Sequence, residues 1–247
     1  MERIVVVSSN NSPDYYFYSP YIKKAWNKYG WKVCTMVTDD VPLSEIHSDY
    51  TITVPKIEGI RQETIAQASR LYAANHFSGD YYLMVSDMDL LPLSDYWKPE
   101  LDKITSWGHD LTDYSFYPMG YIGMPVDKWR SVMKLTGDTV KDFERDAKEL
   151  GSAYSNDWET YWNYDWSLLT KRLKSNPMFN EIVNIKRGRQ PGSCYAVGRV
   201  DRGLGMAIPE GQLIDAHCDN INVRHEDKLP RFLNLFNSIY GELDTNK

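Results

Sequence analysis

Asp87 and Asp89 close the run Tyr81-Tyr82-Leu83-Met84-Val85-Ser86, one residue apart, before the chain turns apolar again at Leu90-Leu91-Pro92. No other Asp-x-Asp occurs, although aspartates are frequent. Two carboxylates left unpaired in a sheet core would be very costly to desolvate. The pair therefore belongs at the mouth of a strand, facing a cation or water. Oxygen donors there suit a hard divalent ion that keeps positions open for phosphate oxygens. Met88, between them, belongs to the same ligand-facing turn. A solvated loop or a helix cap is the ordinary alternative, and the position after a strongly apolar strand argues against it.

The elements that must position this pair follow from the apolar pattern. Residues 4–7 are a continuous β-branched run, as expected of a strand buried on both faces. Residues 21–29 read as a helix closed by Gly30, residues 31–38 as a second strand ending in Asp39-Asp40, and 52–54 as a third. Helical spacing over 64–77 (Ile65, Ala68, Leu71, Tyr72) precedes the fourth strand, 81–86. Strands alternating with helices predict an α/β fold with a mostly parallel central sheet, whose ligand site lies beyond the strands' carboxyl ends. That rule gathers Ser8, Asn10, Asp39 and the Asp87–Asp89 turn on one rim. Ser8, Asn10 and Asp39 become candidate base or ribose contacts, though Asp39 can equally cap a helix. The second half is less regular. A strand at 121–125 leads into a helix at 126–135, with further helices at 139–151, 165–174 and 228–240. A strand at 213–216 delivers His217. There is no repeat or linker, so the 247 residues are expected to form one domain.

A net charge of −6 argues against a broad grip on nucleic acid. No apolar run approaches the roughly 18 residues of a membrane span, and the N-terminal stretch is too short for a signal peptide. Cys34, Cys194 and Cys218 have no CxxC spacing and leave one over, which suits a reducing, cytoplasmic compartment. The 18 tyrosines and eight tryptophans supply flat faces of the kind sugar sites use.

Three segments carry a resemblance: the first strand, the helix with Ala68-Ser69-Arg70-Leu71-Tyr72, and Leu83-Met84-Val85-Ser86-Asp87-Met88-Asp89. Over residues 1–130 the chain resembles the nucleotide-sugar-binding core of GT-A fold glycosyltransferases. In particular it is similar to the small soluble transferase domain of a chlorella-virus glycosyltransferase, and the likeness thins toward His217. The resemblance implies a GT-A (Rossmann-like) sheet flanked by helices, with a donor-binding half to about residue 130 and an acceptor-binding, closing half to 247. It implies a hexosyl- or deoxyhexosyltransferase that moves sugar from a nucleotide diphosphate sugar, a UDP-sugar first, to a glycan or other hydroxyl. A virus-encoded enzyme would act in the host cytoplasm. In that family the aspartates and a later histidine hold Mn2+ or Mg2+, which neutralises charge building on the departing diphosphate. Asp89 would be the direct ligand, with Asp87 reaching ribose or sugar as well. His217 is preferred as the third ligand. His225 competes from a segment that faintly matches a His…Lys-Pro pattern but lacks its glycine. Imidazole favours manganese.

The same likeness assigns Arg70 to the diphosphate or sugar, since Arg binds phosphate bidentately. Arg61, near the third strand's end, is a candidate for base or phosphate, and Lys228 for phosphate. Both arginines can equally be solvated. Arg187, Arg189, Arg199 and Arg202, set among glycines, read as a mobile loop folding over the diphosphate, or as a solvated one. GT-A enzymes commonly place an acidic residue before a helix of the acceptor half. Asp165 is therefore the candidate catalytic carboxylate, with Asp157 and Glu159 behind it, although dipole-favoured capping also explains Asp165. Tyr161, Trp162 and Trp166 offer stacking faces, and Gly120, Tyr121 and Gly123 suggest close backbone approach to the donor sugar. Two other functions make different demands. A sugar nucleotidyltransferase needs a glycine-rich first loop, and residues 8–13 contain no glycine. A non-catalytic carbohydrate-binding protein would take glycan without metal or nucleotide.

Overall fold

A computed structural model describes residues 1–112, 115–218 and 228–243, with the backbone only for Leu204. The β-branched run of residues 4–7 lies within strand β1 (Glu2–Ser9) and is wholly buried. Ile4 and Val6 join one apolar cluster, Val5 and Val7 the other. Each face of the strand has its own covering layer, which is why the sequence shows no polar alternation there.

The remaining strands are β2 (Lys32–Thr38), β3 (Tyr50–Val54), β4 (Tyr81–Val85), β5 (Leu90–Pro92), β6 (Thr105–Trp107), β7 (Ile122–Pro125), β8 (Val183–Ile185), β9 (Arg199–Asp201) and β10 (Asp215–His217). Seven form a central sheet in the order β3-β2-β1-β4-β7-β6-β8. The first four are mutually parallel, β6 is parallel to β8, and β7 alone runs against its neighbours. The other three form a small sheet, β5-β10-β9. The helices are α1 (Pro13–Tyr16), α2 (Ser19–Lys28), α3 (Gln62–Ser69), α4 (Val126–Met133), α5 (Thr139–Leu150), α6 (Trp158–Trp162), α7 (Tyr164–Lys174) and α8 (Lys228–Tyr240). Ile65, Trp129, Phe143 and Leu168 bring α3, α4, α5 and α7 onto one face of the sheet. Trp26 and Phe232 bring α2 and α8 onto the other. No helix among the described residues is long and apolar enough to cross a membrane.

Three expectations change. The helix expected over 64–77 is α-helical only to Ser69 and continues as a 3-10 helix, Arg70–His76. The pitch tightens where Arg70 Nε donates to the Gln67 carbonyl at 3.0 Å, an acceptor an α-helix would offer to residue 71. His217 lies within β10, paired with Leu90, rather than beyond a strand at 213–216. Gly123 serves packing: a Cβ there would sit 2.6 Å from the Tyr82 ring, so glycine is what lets β7 close on β4. Tyr121 is likewise buried, stacked on Trp97 at 3.7 Å with its hydroxyl donating to Asp215.

Candidate active site

Beyond β4 the backbone still pairs once, Ser86 N donating to Val6 O at 2.9 Å, and then turns as Leu90 N donates to Asp87 O at 3.2 Å. The turn sets Asp87, Met88 and Asp89 past the carboxyl end of β4, beside the last residues of β1. β5 then runs antiparallel to β10 with Leu90 opposite His217, and Cys218 N donates to Asp89 O at 2.9 Å. Register thus brings His217 to Asp89, its Nε2 standing 3.7 Å from Asp89 Oδ2. The His217 Nδ1 meets Asp201 Oδ2 at 3.2 Å. In the neutral ring, an Nδ1–H donated to Asp201 leaves the Nε2 lone pair facing Asp89. Arg202 Nη1 donates to the same Asp89 Oδ2 at 2.9 Å. Asp89 is 5% exposed, so it is more enclosed than the open rim expected from sequence.

Arg70 organises the other wall. Its Nη1 donates to Asp87 Oδ1 and, at 2.6 Å, to Ser86 O, while Nη2 donates to Asp165 Oδ2 at 3.1 Å. Asp165 lies in the first turn of α7 and its Oδ1 accepts from Trp166 N at 2.8 Å. Burial pushes its carboxyl up to about 6, against the pull of Arg70. Burial also works to raise Asp87, but with 38% of its side chain open to solvent the Arg70 guanidinium outweighs it and holds that carboxyl below its ordinary value. Asp89 is raised by burial, with His217 pulling the other way.

These groups line a cavity of about 270 Å3. Of the residues singled out in the sequence, Ser8, Asn10, Arg70, Asp87 and Met88 line it, and so do Asp89, Asp165, His217, Trp162 and Trp166. Asp39, Arg61, Asp157 and Lys228 are not among its lining residues. Asp39 is exposed and accepts from Lys56 N at 3.1 Å. Arg61 lies over the Tyr161 ring at 4.9 Å and donates to Asn156 Oδ1 at 3.1 Å. Asp157 caps α6, accepting from Thr160 N at 3.0 Å. Lys228 opens α8. His225 lies outside the described residues. The arginine loop is not one solvated lid. Arg187 and Arg199 both grip Asp215, which is fully buried, through contacts of 2.5–3.1 Å. Tyr15 and Gln67 join the cavity without having been foreseen in that role, and of the four arginines read as a loop over the diphosphate only Arg202 lines it. Only the arginine richness of the segment hinted at Arg202.

Among the described residues, no group of three or more acidic, imidazole or thiol side chains is gathered closely enough to hold a metal ion. Asp89 and His217 instead form an open pair, with Asp87 on the same cavity wall. By donor type alone, the Asp87 and Asp89 carboxylates and an imidazole oriented by Asp201 are the kind of groups Mn2+ or Mg2+ takes, with positions left for phosphate oxygens.

No protein-family model matches the chain, and neither does any curated protein. The solved galactosyltransferase LgtC, in complex with donor and acceptor sugar analogues, matches with a TM-score of 0.53 and 12% identity, over 99% of this chain and 97% of that one. The fold is GT-A-like. The glycosyltransferase GlyE of Streptococcus pneumoniae matches with a TM-score of 0.44 and 14% identity, over 75% of this chain but only 45% of its own length. The chain thus spans less than half of GlyE. The LgtC likeness is one of fold, and neither match bears on the viral resemblance of the sequence.

Proposed function

We propose that the GT-A-like chain is a metal-dependent glycosyltransferase that moves a sugar from a nucleotide diphosphate sugar, expected to be a UDP-sugar, to a hydroxyl of a glycan or similar acceptor. One observation carries this reading: Asp87, Asp89 and His217 face one cavity beyond the carboxyl ends of a mainly parallel sheet. When bound, a divalent ion there would supply charge neutralisation at the leaving diphosphate. Asp89 and His217 would hold it, with Asp87 beside them, and Asp201 would keep the imidazole turned toward it.

Ser8, near the carboxyl end of β1, and Asn10, just past it, would contact ribose or base. Arg70 is locked by four acceptors and presents its charge as a fixed wall rather than a mobile arm. Asp165, with a carboxyl near 6, lines the cavity and would take or hold the acceptor's hydroxyl proton near neutral pH. Trp162 and Trp166 offer aromatic faces to sugar CH groups, and Asp157 serves this role indirectly by capping α6, the helix that presents Trp162.

Calorimetric titration of UDP, with and without Mn2+, tests the reading. The expected result is binding that Mn2+ strengthens, followed by Mn2+-stimulated hydrolysis within a panel of UDP-, GDP- and dTDP-sugars. UDP that fails to bind in either condition overturns it.

A further inference from the structure

Arg202 has no part in those roles, yet its Nη1 lies 2.9 Å from Asp89 Oδ2 and 3.3 Å from the Cys218 carbonyl. That carboxylate oxygen is the one His217 Nε2 faces at 3.7 Å. The cation satisfying Asp89 is therefore supplied by the chain itself, on the side where the imidazole points.

Arg202 is mounted differently from Arg70. Arg70 has a 4% exposed side chain, whereas the Arg202 side chain is 33% exposed. It sits on a single 3-10 turn, Arg202–Leu204, that ends in Gly205 at φ 62° and Met206 at φ 60°. The turn is fixed at its start by Asp201, whose Oδ1 accepts from Gly203 N at 2.8 Å while Oδ2 meets His217 Nδ1. One carboxylate thus anchors both the imidazole and the base of the arginine, whose side chain is one-third exposed beside the cavity.

We propose that Arg202 is an exchangeable counter-cation: it neutralises Asp89 in the metal-free protein, yields that oxygen to a divalent ion, and then turns its guanidinium to the donor's diphosphate. The proposal rests on the reading of Asp89 as a metal ligand. A guanidinium and a divalent ion compete for one oxygen, so Arg202 weakens metal binding when no nucleotide is present. A diphosphate gives it another bidentate partner, and binding of nucleotide then strengthens binding of metal, and the reverse by the same factor. Loss of Arg202 therefore acts with opposite signs on the two ligands.

Two calorimetric titrations test this, Mn2+ alone and then UDP at saturating Mn2+, on wild type, Arg202→Gln and Lys98→Gln. Lys98 pairs with Asp95 outside the cavity and controls for net charge. Arg202→Gln is expected to bind Mn2+ about tenfold more tightly and UDP about tenfold more weakly, the scale of one charge-assisted hydrogen bond. Lys98→Gln should match wild type in both. If the Gln variant does not fold, Arg202→Met, neutral and of similar reach, should give the same two shifts. Mn2+ affinity unchanged or weakened in the Arg202 variant overturns the exchange, and so does unchanged UDP affinity, while wild-type Mn2+ binding leaves the metal reading standing. A wild type that binds no Mn2+, with or without UDP, removes both.

Discussion

Arg70 pairs with two carboxylates, Asp87 on the turn after β4 and Asp165 on α7; its charge outweighs burial at Asp87, while burial outweighs its charge at Asp165. The Asp165 carboxyl lies near 6 in the fold against an ordinary 3.8. The folded chain therefore keeps this proton to higher pH than the unfolded chain does. Stability from this group is complete below about 3.8 and is lost as pH rises through about 6. Metal-free melts between pH 4 and 7 should show that fall, and Asp165→Asn should flatten it. The same variant should lose about 10²- to 10⁴-fold in donor turnover, the range for a positioned acid or base. An Asn variant with unchanged turnover removes Asp165 from the chemistry. Asp89→Asn, which keeps the side chain's shape, should abolish Mn2+ binding by calorimetry while its melting curve stays close to wild type.

At the scale of elements, β10 is the part on which the site depends most. Only three residues long, it sits between β5 and β9, and Asp215 at its start is held by Arg187, Arg199 and Tyr121. Those partners hold the Asp215 carboxyl well below its ordinary value despite full burial. Removing one member of a buried ionic cluster leaves its partners' charge uncompensated, at a cost of about 3–5 kcal/mol. Asp215→Ala should therefore lower unfolding free energy by that amount in urea titrations. It should also weaken Mn2+ binding, because His217 lies two residues along the same strand. The close approach of β7 to β4 is a second weak point. Gly123→Ala would place a methyl against Tyr82 and Met84 and should cost about 1–3 kcal/mol as an overpacked contact.

For the whole molecule, acid and ligand act in opposite directions. Asp215, depressed in the fold, contributes stability that is present above its ordinary value and lost as pH falls through the folded one. Glu149 does the same, pulled to about 2 by Lys171 and Arg172, though with 35% of its side chain exposed its share is small. Unfolding should thus become easier below about pH 4, when these carboxyls protonate in the unfolded chain first. Mn2+ with UDP should raise the melting temperature. At a hundredfold excess over Kd the gain is about 2.7 kcal/mol, or roughly 5–10 °C for a chain of this size.

The sequence by itself determined the parallel half of the sheet, because strands buried on both faces show as unbroken apolar runs at residues 4–7 and 81–85. With the strand-end rule, that was enough to place Ser8, Asn10, Asp87 and Asp89 together. Asp157, read from sequence as a candidate carboxylate for the chemistry, instead caps α6 through its local link to Thr160. Tertiary structure alone decided which distant groups meet. Asp201, Arg202 and Asp215 reach the site or its support through β5, β9 and β10, strands of three residues that are too short to leave a period. Asp39 follows the same strand-end rule and still falls outside the cavity, because the chain beyond β2 turns it to the backbone of Lys56. Periodicity records which face of a segment is buried. Which side chains converge is set by the register between segments far apart in the chain, and that appears only once the β5–β10 pair has formed.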